Sequence, residues 1–72
     1  MANLYERIRI LRKEKNISQG EAAKALNLSI SSYCRYERGE REPDAPVLWR
    51  MADLFGVSID YLVGRTDTRQ SS

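Results

Sequence analysis

Histidine is absent from this 72-residue chain, and cysteine, phenylalanine and tryptophan occur once each. Losing histidine removes the side chain that ionises nearest neutral pH and most often ligates metals. A lone Cys34 excludes an internal disulfide. The sequence has no Cys/His cluster of metal-binding spacing, no glycine-rich phosphate loop, no long apolar run and no secretory leader. A chain this short also encloses little concave, water-excluding space, so catalysis is not expected and no catalytic, cofactor or metal site is assigned. No alternating strand pattern competes with helix, and the expected setting is the cytoplasm.

The chain does have charge, unevenly spread. The net charge is only +2, but residues 1–41 hold nine Lys/Arg against five acids, whereas residues 42–72 hold three against five. A basic first half and an acidic second half predict one face for a polyanion and another for a different contact. Ordinary solvated helix faces are the bland alternative.

Helix start signals recur. Asn3 precedes Leu4, Tyr5, Ile8 and Leu11, apolar residues at helical spacing, with Glu6 three positions on. Ser18 and Glu21 form a Ser-x-x-Glu capping box, with Ile17 placed to staple onto Ala22. Ser29 repeats the design with Leu28 and Tyr33, and Ser58 with Val57 and Leu62. Asp44 opens the remaining helix, whose first turn tolerates Pro46 because that N–H would be unpaired anyway. Each helix is followed by a residue that accepts left-handed geometry: Asn16, Asn27, Gly39, Gly56 and Gly64. The spacing predicts helices near 4–15, 18–26, 29–38, 45–55 and 58–63, in one all-α domain over residues 1–64. The polar, aperiodic residues 65–72 are expected to be a disordered tail. The predicted core is Leu4, Ile8, Leu11, Ile17, Ala22, Ala23, Leu26, Leu28, Tyr33, Tyr36, Leu48, Met51, Ala52, Leu54, Phe55, Val57 and Leu62.

Within that framework Gln19-x-x-Ala-Ala23, Leu26-Asn-Leu-Ser29, Tyr36-Glu-Arg-Gly39, Arg41-x-Pro43 and Gly56-Val-Ser-Ile-Asp-Tyr-Leu62 stand in order and at regular spacing. In these motifs the chain resembles the Cro and phage-repressor (XRE) helix-turn-helix family over about residues 4 to 64. The resemblance implies a five-helix, lambda-repressor-like domain in which the second and third helices form the helix-turn-helix. It also implies a two-fold dimer on the major groove of double-stranded operator DNA.

The physical reading runs beside it. A major groove about 12 Å wide admits one helix, whose first residues meet base edges. In the helix beginning at Ser29, Tyr33 and Tyr36 point inward, leaving Ile30, Ser31, Ser32 and Arg35 outward. The serines allow close approach, Ile30 suits a thymine methyl, and Arg35 suits guanine O6 and N7. By the resemblance Ile30, Ser31 and Arg35 occupy base-reading positions, with Ser29, Ser32 and Cys34 on or near the same side. Gln19 is the expected phosphate contact, helped by Ser18 and Ser29, while Arg38 and Arg41 are candidate backbone clamps. Arg9, Lys13 and Lys15 are weaker ones. The resemblance further implies an ion pair between Arg12 and Glu37. The chain departs from the family pattern at Asn27 for the turn glycine, Ala22 for a common leucine, and Gly20, which weakens the start of its helix by up to about 1 kcal/mol relative to alanine.

Trp49, Tyr61, Leu62 and Val63 amount to more apolar surface than a small monomer needs, and are expected to form a homodimer patch. Alternatively Trp49 covers the first helix of a monomer. The expected function is that of a transcriptional regulator, a repressor occupying a palindromic operator. The alternative is an antitoxin-type module that masks a toxin and represses its own operon.

Overall fold

In the computed structural model, which describes residues 3–69, the chain forms five helices: α1 (Leu4–Glu14), α2 (Gln19–Ala25), α3 (Ile30–Arg38), α4 (Ala45–Phe55) and α5 (Ile59–Leu62). There is no strand among the described residues. None of the helices is long and apolar enough to cross a membrane.

Every helix begins on a side-chain cap. Asn3, Ser18, Ser29, Asp44 and Ser58 accept hydrogen bonds from the backbone N–H three residues on. At Ser18 the box closes both ways: Ser18 Oγ accepts from the Glu21 N–H at 3.0 Å, and Glu21 accepts from the Ser18 N–H at 2.9 Å. A cap of this kind is worth about 0.5–2 kcal/mol, a large fraction of what a helix of one or two turns needs. Pro46 lies in the first turn of α4. The stops also follow the residue chemistry, since Asn16 and Asn27 take φ of 59° and 60°. Gly39 carries the tightest of them. Its φ is +75°, and a Cβ there would lie 3.0 Å from the Tyr5 ring, so both backbone and space require glycine.

The core is Ile8 and Leu11 from α1, Ala22, Ala23 and Leu26 from α2, Tyr33 and Tyr36 from α3, Val47, Met51, Ala52 and Phe55 from α4, and Leu62 from α5. Each fully buried large aliphatic side chain stabilises the fold by about 1.5–3 kcal/mol relative to exposure. Leu4, Ile17, Leu28, Leu54 and Val57 pack on its edge. Ala22 and Tyr33 are both wholly buried.

Three expectations are corrected, and one core element is new. Leu48 is half-buried and lines a groove with Leu4, Tyr5, Pro43 and Val63, while its neighbour Val47 faces the core. Arg7, not foreseen as a core element, is 5% exposed. Leu62, expected both in the core and on the dimer patch, has no exposed surface, because the short α5 turns it onto the core, so only the core placement holds. Residues 65–69, expected to be disordered, are held against α1 and α5. The Arg7 guanidinium donates to the Thr66 carbonyl and to Asp67, Arg69 pairs with Glu14, and the Arg69 carbonyl accepts from the Ser58 N–H. Residues 70–72 of the expected tail lie outside the described residues.

Candidate nucleic-acid interface

The turn between α2 and α3 fixes how α3 is presented. Leu26 closes α2, Asn27 takes the left-handed conformation, and the Leu28 N–H returns to the Ala23 carbonyl at 2.8 Å. Ser29 then caps α3 through the Ser32 N–H at 3.1 Å and donates its hydroxyl to Ser32 Oγ at 3.0 Å. The inner stripe of α3 is Tyr33, Tyr36 and Glu37, all buried. Its outer stripe carries Ile30, Ser31 and Arg35, all exposed, with Ser32 and Cys34 half-buried beside them. Ile30 leans over the start of α2, where a Cβ on Gly20 would meet its Cδ1 at 3.4 Å, ordinary contact distance. An alanine would therefore fit here, and Gly20 carries its cost to helix propensity without a steric need for it.

Behind this surface lies a polar cluster. Arg12 Nε donates to Glu37 Oε2 at 2.6 Å, Arg12 Nη2 to Oε1 at 3.4 Å, and Arg12 Nη1 to the Ile17 carbonyl at 2.9 Å. Gln19 Nε2 donates to Glu37 Oε1 at 3.1 Å. Burial alone would push the Glu37 carboxyl up, but Arg12, Tyr33 and Gln19 together outweigh it and hold the group below the usual carboxylate range. The hydrogen bond to Glu37 raises the Arg12 guanidinium further above its ordinary value. The buried Tyr33 hydroxyl lies against the pair outside hydrogen-bonding geometry and acts on it electrostatically. Desolvation, then the neighbouring Glu37 carboxylate, pushes the Tyr33 phenol far above its normal value.

This cluster joins α1, α2 and α3 through one carboxylate. An amide nitrogen carries two N–H donors, and the Gln19 bond to Glu37 uses one, leaving the other for a group approaching the start of α2. The two candidate clamps differ. Arg38 is exposed and paired with Glu40 at 3.2 Å. Arg41 lies over the Tyr36 ring, 5.9 Å from its centroid, with no carboxylate partner among the described residues. Lys13, Lys15 and Arg9 are exposed on α1 or its cap. Of the second-half residues, Trp49 is 59% exposed and Val63 is exposed, while Tyr61 is half-buried beneath the guanidinia of Arg7 and Arg69.

The helix-turn-helix family model matches residues 8–62. The HTH-type transcriptional regulator ImmR of Bacillus subtilis (strain 168) is 33% identical over 70 residues, covering 97% of this chain and 55% of that protein. The cryptic phage CTXphi transcriptional repressor RstR of Vibrio cholerae (serotype O1, strain El Tor Inaba N16961) is 38% identical over 68 residues, covering 94% of this chain and 61% of that one. The chain therefore spans little more than half the length of these curated relatives. Among solved structures, the P22 c2 repressor in complex with synthetic operator 9T superposes with a TM-score of 0.83 at 32% identity, over 88% of this chain and 96% of the other. The five-helix fold is thus that of a known architecture, and the chain belongs to the Cro and phage-repressor type of the helix-turn-helix family.

Proposed function

We propose that this chain is a sequence-specific DNA-binding transcriptional regulator, a repressor that occupies a palindromic operator with α3 in the major groove. The observation that carries the reading is the outer stripe of α3: Ile30, Ser31 and Arg35 are exposed together on a helix whose other face is buried. The likeness to a repressor solved on its operator supports it. Ile30 meets a thymine methyl, Ser31 and Ser32 allow close approach, and Arg35 makes the bidentate contact to guanine O6 and N7. Gln19, aimed by Glu37, grips a phosphate with its second N–H, and Ser18 and Ser29 stand at the neighbouring helix starts. Arg41 is the stronger backbone clamp, since Arg38 is already partly neutralised by Glu40.

One base-reading arginine per helix discriminates weakly, so two half-sites are needed. We place the homodimer contact on exposed Trp49 and Val63 and the groove lined by Leu48, with Tyr61 at its margin and Leu62 behind it. A two-fold dimer so formed reads half-sites about 34 Å apart. Sedimentation at micromolar concentration tests this, and a monomer at all concentrations overturns it.

Selection from a random duplex pool should return a palindrome, and affinity for it should fall with a log–log salt slope of several units. A flat slope overturns the DNA reading. Arg35→Ala is expected to cost about 1–3 kcal/mol and relax preference at one base pair per half-site. A uniform loss across all base substitutions would reduce Arg35 to a backbone contact.

A further inference from the structure

Residues 65–69 read Arg-Thr-Asp-Thr-Arg and bring almost no apolar surface, yet they close over α1 and α5. The anchor is Arg7, a cation with 5% of its surface exposed in the middle of the apolar stripe Leu4, Ile8 and Leu11. Such a buried charge is costly unless acceptors surround it. The acceptors are the Tyr61 carbonyl at the end of α5, the Thr66 carbonyl at 2.8 Å and Asp67 Oδ1 at 2.9 Å. Two of these three belong to the 65–69 segment. Seven residues along α1, on the same face, Glu14 receives both terminal nitrogens of Arg69 at 2.7 and 2.8 Å. The Arg69 carbonyl in turn accepts from the Ser58 N–H at 2.6 Å, at the cap of α5. Both guanidinia lie over the Tyr61 ring, that of Arg7 at 4.2 Å and that of Arg69 at 5.5 Å from its centroid. Arg12, which holds Glu37 at the end of α3, projects from α1 roughly 140° around the helix from Arg7.

We propose that residues 65–69 form a strap that binds α5 to α1, with Arg7 as its catch, and that its closure sets the seat of α1 against the end of α3. A strap that leaves takes two of the three acceptors from Arg7 and opens it to water, so α1 loses the tie to α5 that fixes its rotation and is free to roll. That roll moves Arg12 on the other side of the helix and lengthens its bond to Glu37. The strap therefore belongs to the folded unit, and the reading helix is sensitive to it without touching it. This holds whatever α3 reads.

Amide hydrogen exchange and the Arg12 Nε–H resonance, followed by NMR in the full chain, test the proposal. The variants are D67N combined with R69M, and separately Arg7→Lys, which keeps the charge but offers one nitrogen to three acceptors. Asp67 and Arg69 are exposed enough for substitution to leave the core intact, and unchanged protection of the Leu26 amide confirms that it is. The expected result is at least tenfold faster exchange at the Ser58 amide, with a displaced Arg12 Nε–H signal. Unchanged Ser58 protection in both variants overturns the strap. Faster exchange at Ser58 with an unmoved Arg12 signal overturns its hold on α1.

Discussion

On one side of α1, Arg12 meets Glu37 with side chains 13% and 3% exposed; on the other, Arg69 meets Glu14 with 43% and 48% exposed. Both are arginine–glutamate pairs with two nitrogens facing two oxygens, at 2.6 and 3.4 Å in the first and 2.7 and 2.8 Å in the second. By geometry alone the exposed pair is the better fork. Its surroundings reverse the ranking, because water competes for every group in it and salt screens it. The Arg12–Glu37 pair has largely exchanged water for Gln19 and the Ile17 carbonyl, and Glu37 in particular is closed off from solvent. A buried pair of this kind adds little net stability compared with apolar residues of the same shape, but removing one half strands the other. The lesson is about the cost of rupture, which is large only where the residues left behind cannot reach water.

The largest expected effect follows directly. Glu37→Ala leaves the Arg12 guanidinium and the Gln19 amide without their common carboxylate, and is expected to destabilise the domain by about 3–5 kcal/mol. Glu21→Ala, which removes an exposed capping-box acceptor, is expected to cost only about 0.3–1.5 kcal/mol. Denaturant midpoints of the two variants decide the matter, and equal midpoints would mean that the buried cluster contributes no more than a surface cap.

Acid provides a second, graded way to break the same pair. The Glu37 carboxyl is held below its ordinary value of 4.5 in the folded chain, so on acidification the unfolded state takes up its proton first. Its stabilisation is fully present above pH 4.5 and is lost as pH falls through the depressed folded value. Glu14 is lowered in the same direction by its hydrogen bond from Arg69. Stability measured from pH 7 downward should therefore fall below pH 4.5, and Glu37→Gln should flatten that fall more than Glu14→Gln. The reverse order would show that the exposed fork, not the buried one, governs the acid limb.

How far these features could be read from the sequence depends on whether the partner is near in the chain. Five caps and five stops were legible because each depends on a residue within one turn of itself, as at Ser18 with Glu21 and at Asn27 with its own φ of 60°. The outward position of Ile30, Ser31 and Arg35 was legible from helical period once Tyr33 and Tyr36 were assigned inward. Arg7 was missed although its position announced it, since Leu4, Ile8 and Leu11 flank it on one face of α1. An arginine on an apolar stripe implies a polar partner brought from elsewhere, and here that partner is 60 residues away at Asp67. No periodicity records such a contact, so residues 65–69 read as a tail. Leu62 was read two ways, as core and as part of the apolar patch, and only the core reading holds. An apolar residue beside Tyr61 and Val63 reads as surface only until a four-residue helix turns it inward.

The smallest expected effect sharpens the comparison most. Glu14→Gln keeps the shape of the exposed side chain and one acceptor oxygen for Arg69, so the fork weakens without being deleted. Its effect on the denaturant midpoint should be slight at low salt and vanish near 1 M, where the screening length is about 3 Å. The same salt should leave the effect of Glu37→Ala nearly unchanged, because the pair is almost closed to solvent and its ions. Measuring both variants across one salt series separates location from geometry. If salt erased both effects alike, water would be reaching Glu37, and the close approach of α1 to the end of α3 would have to open in solution.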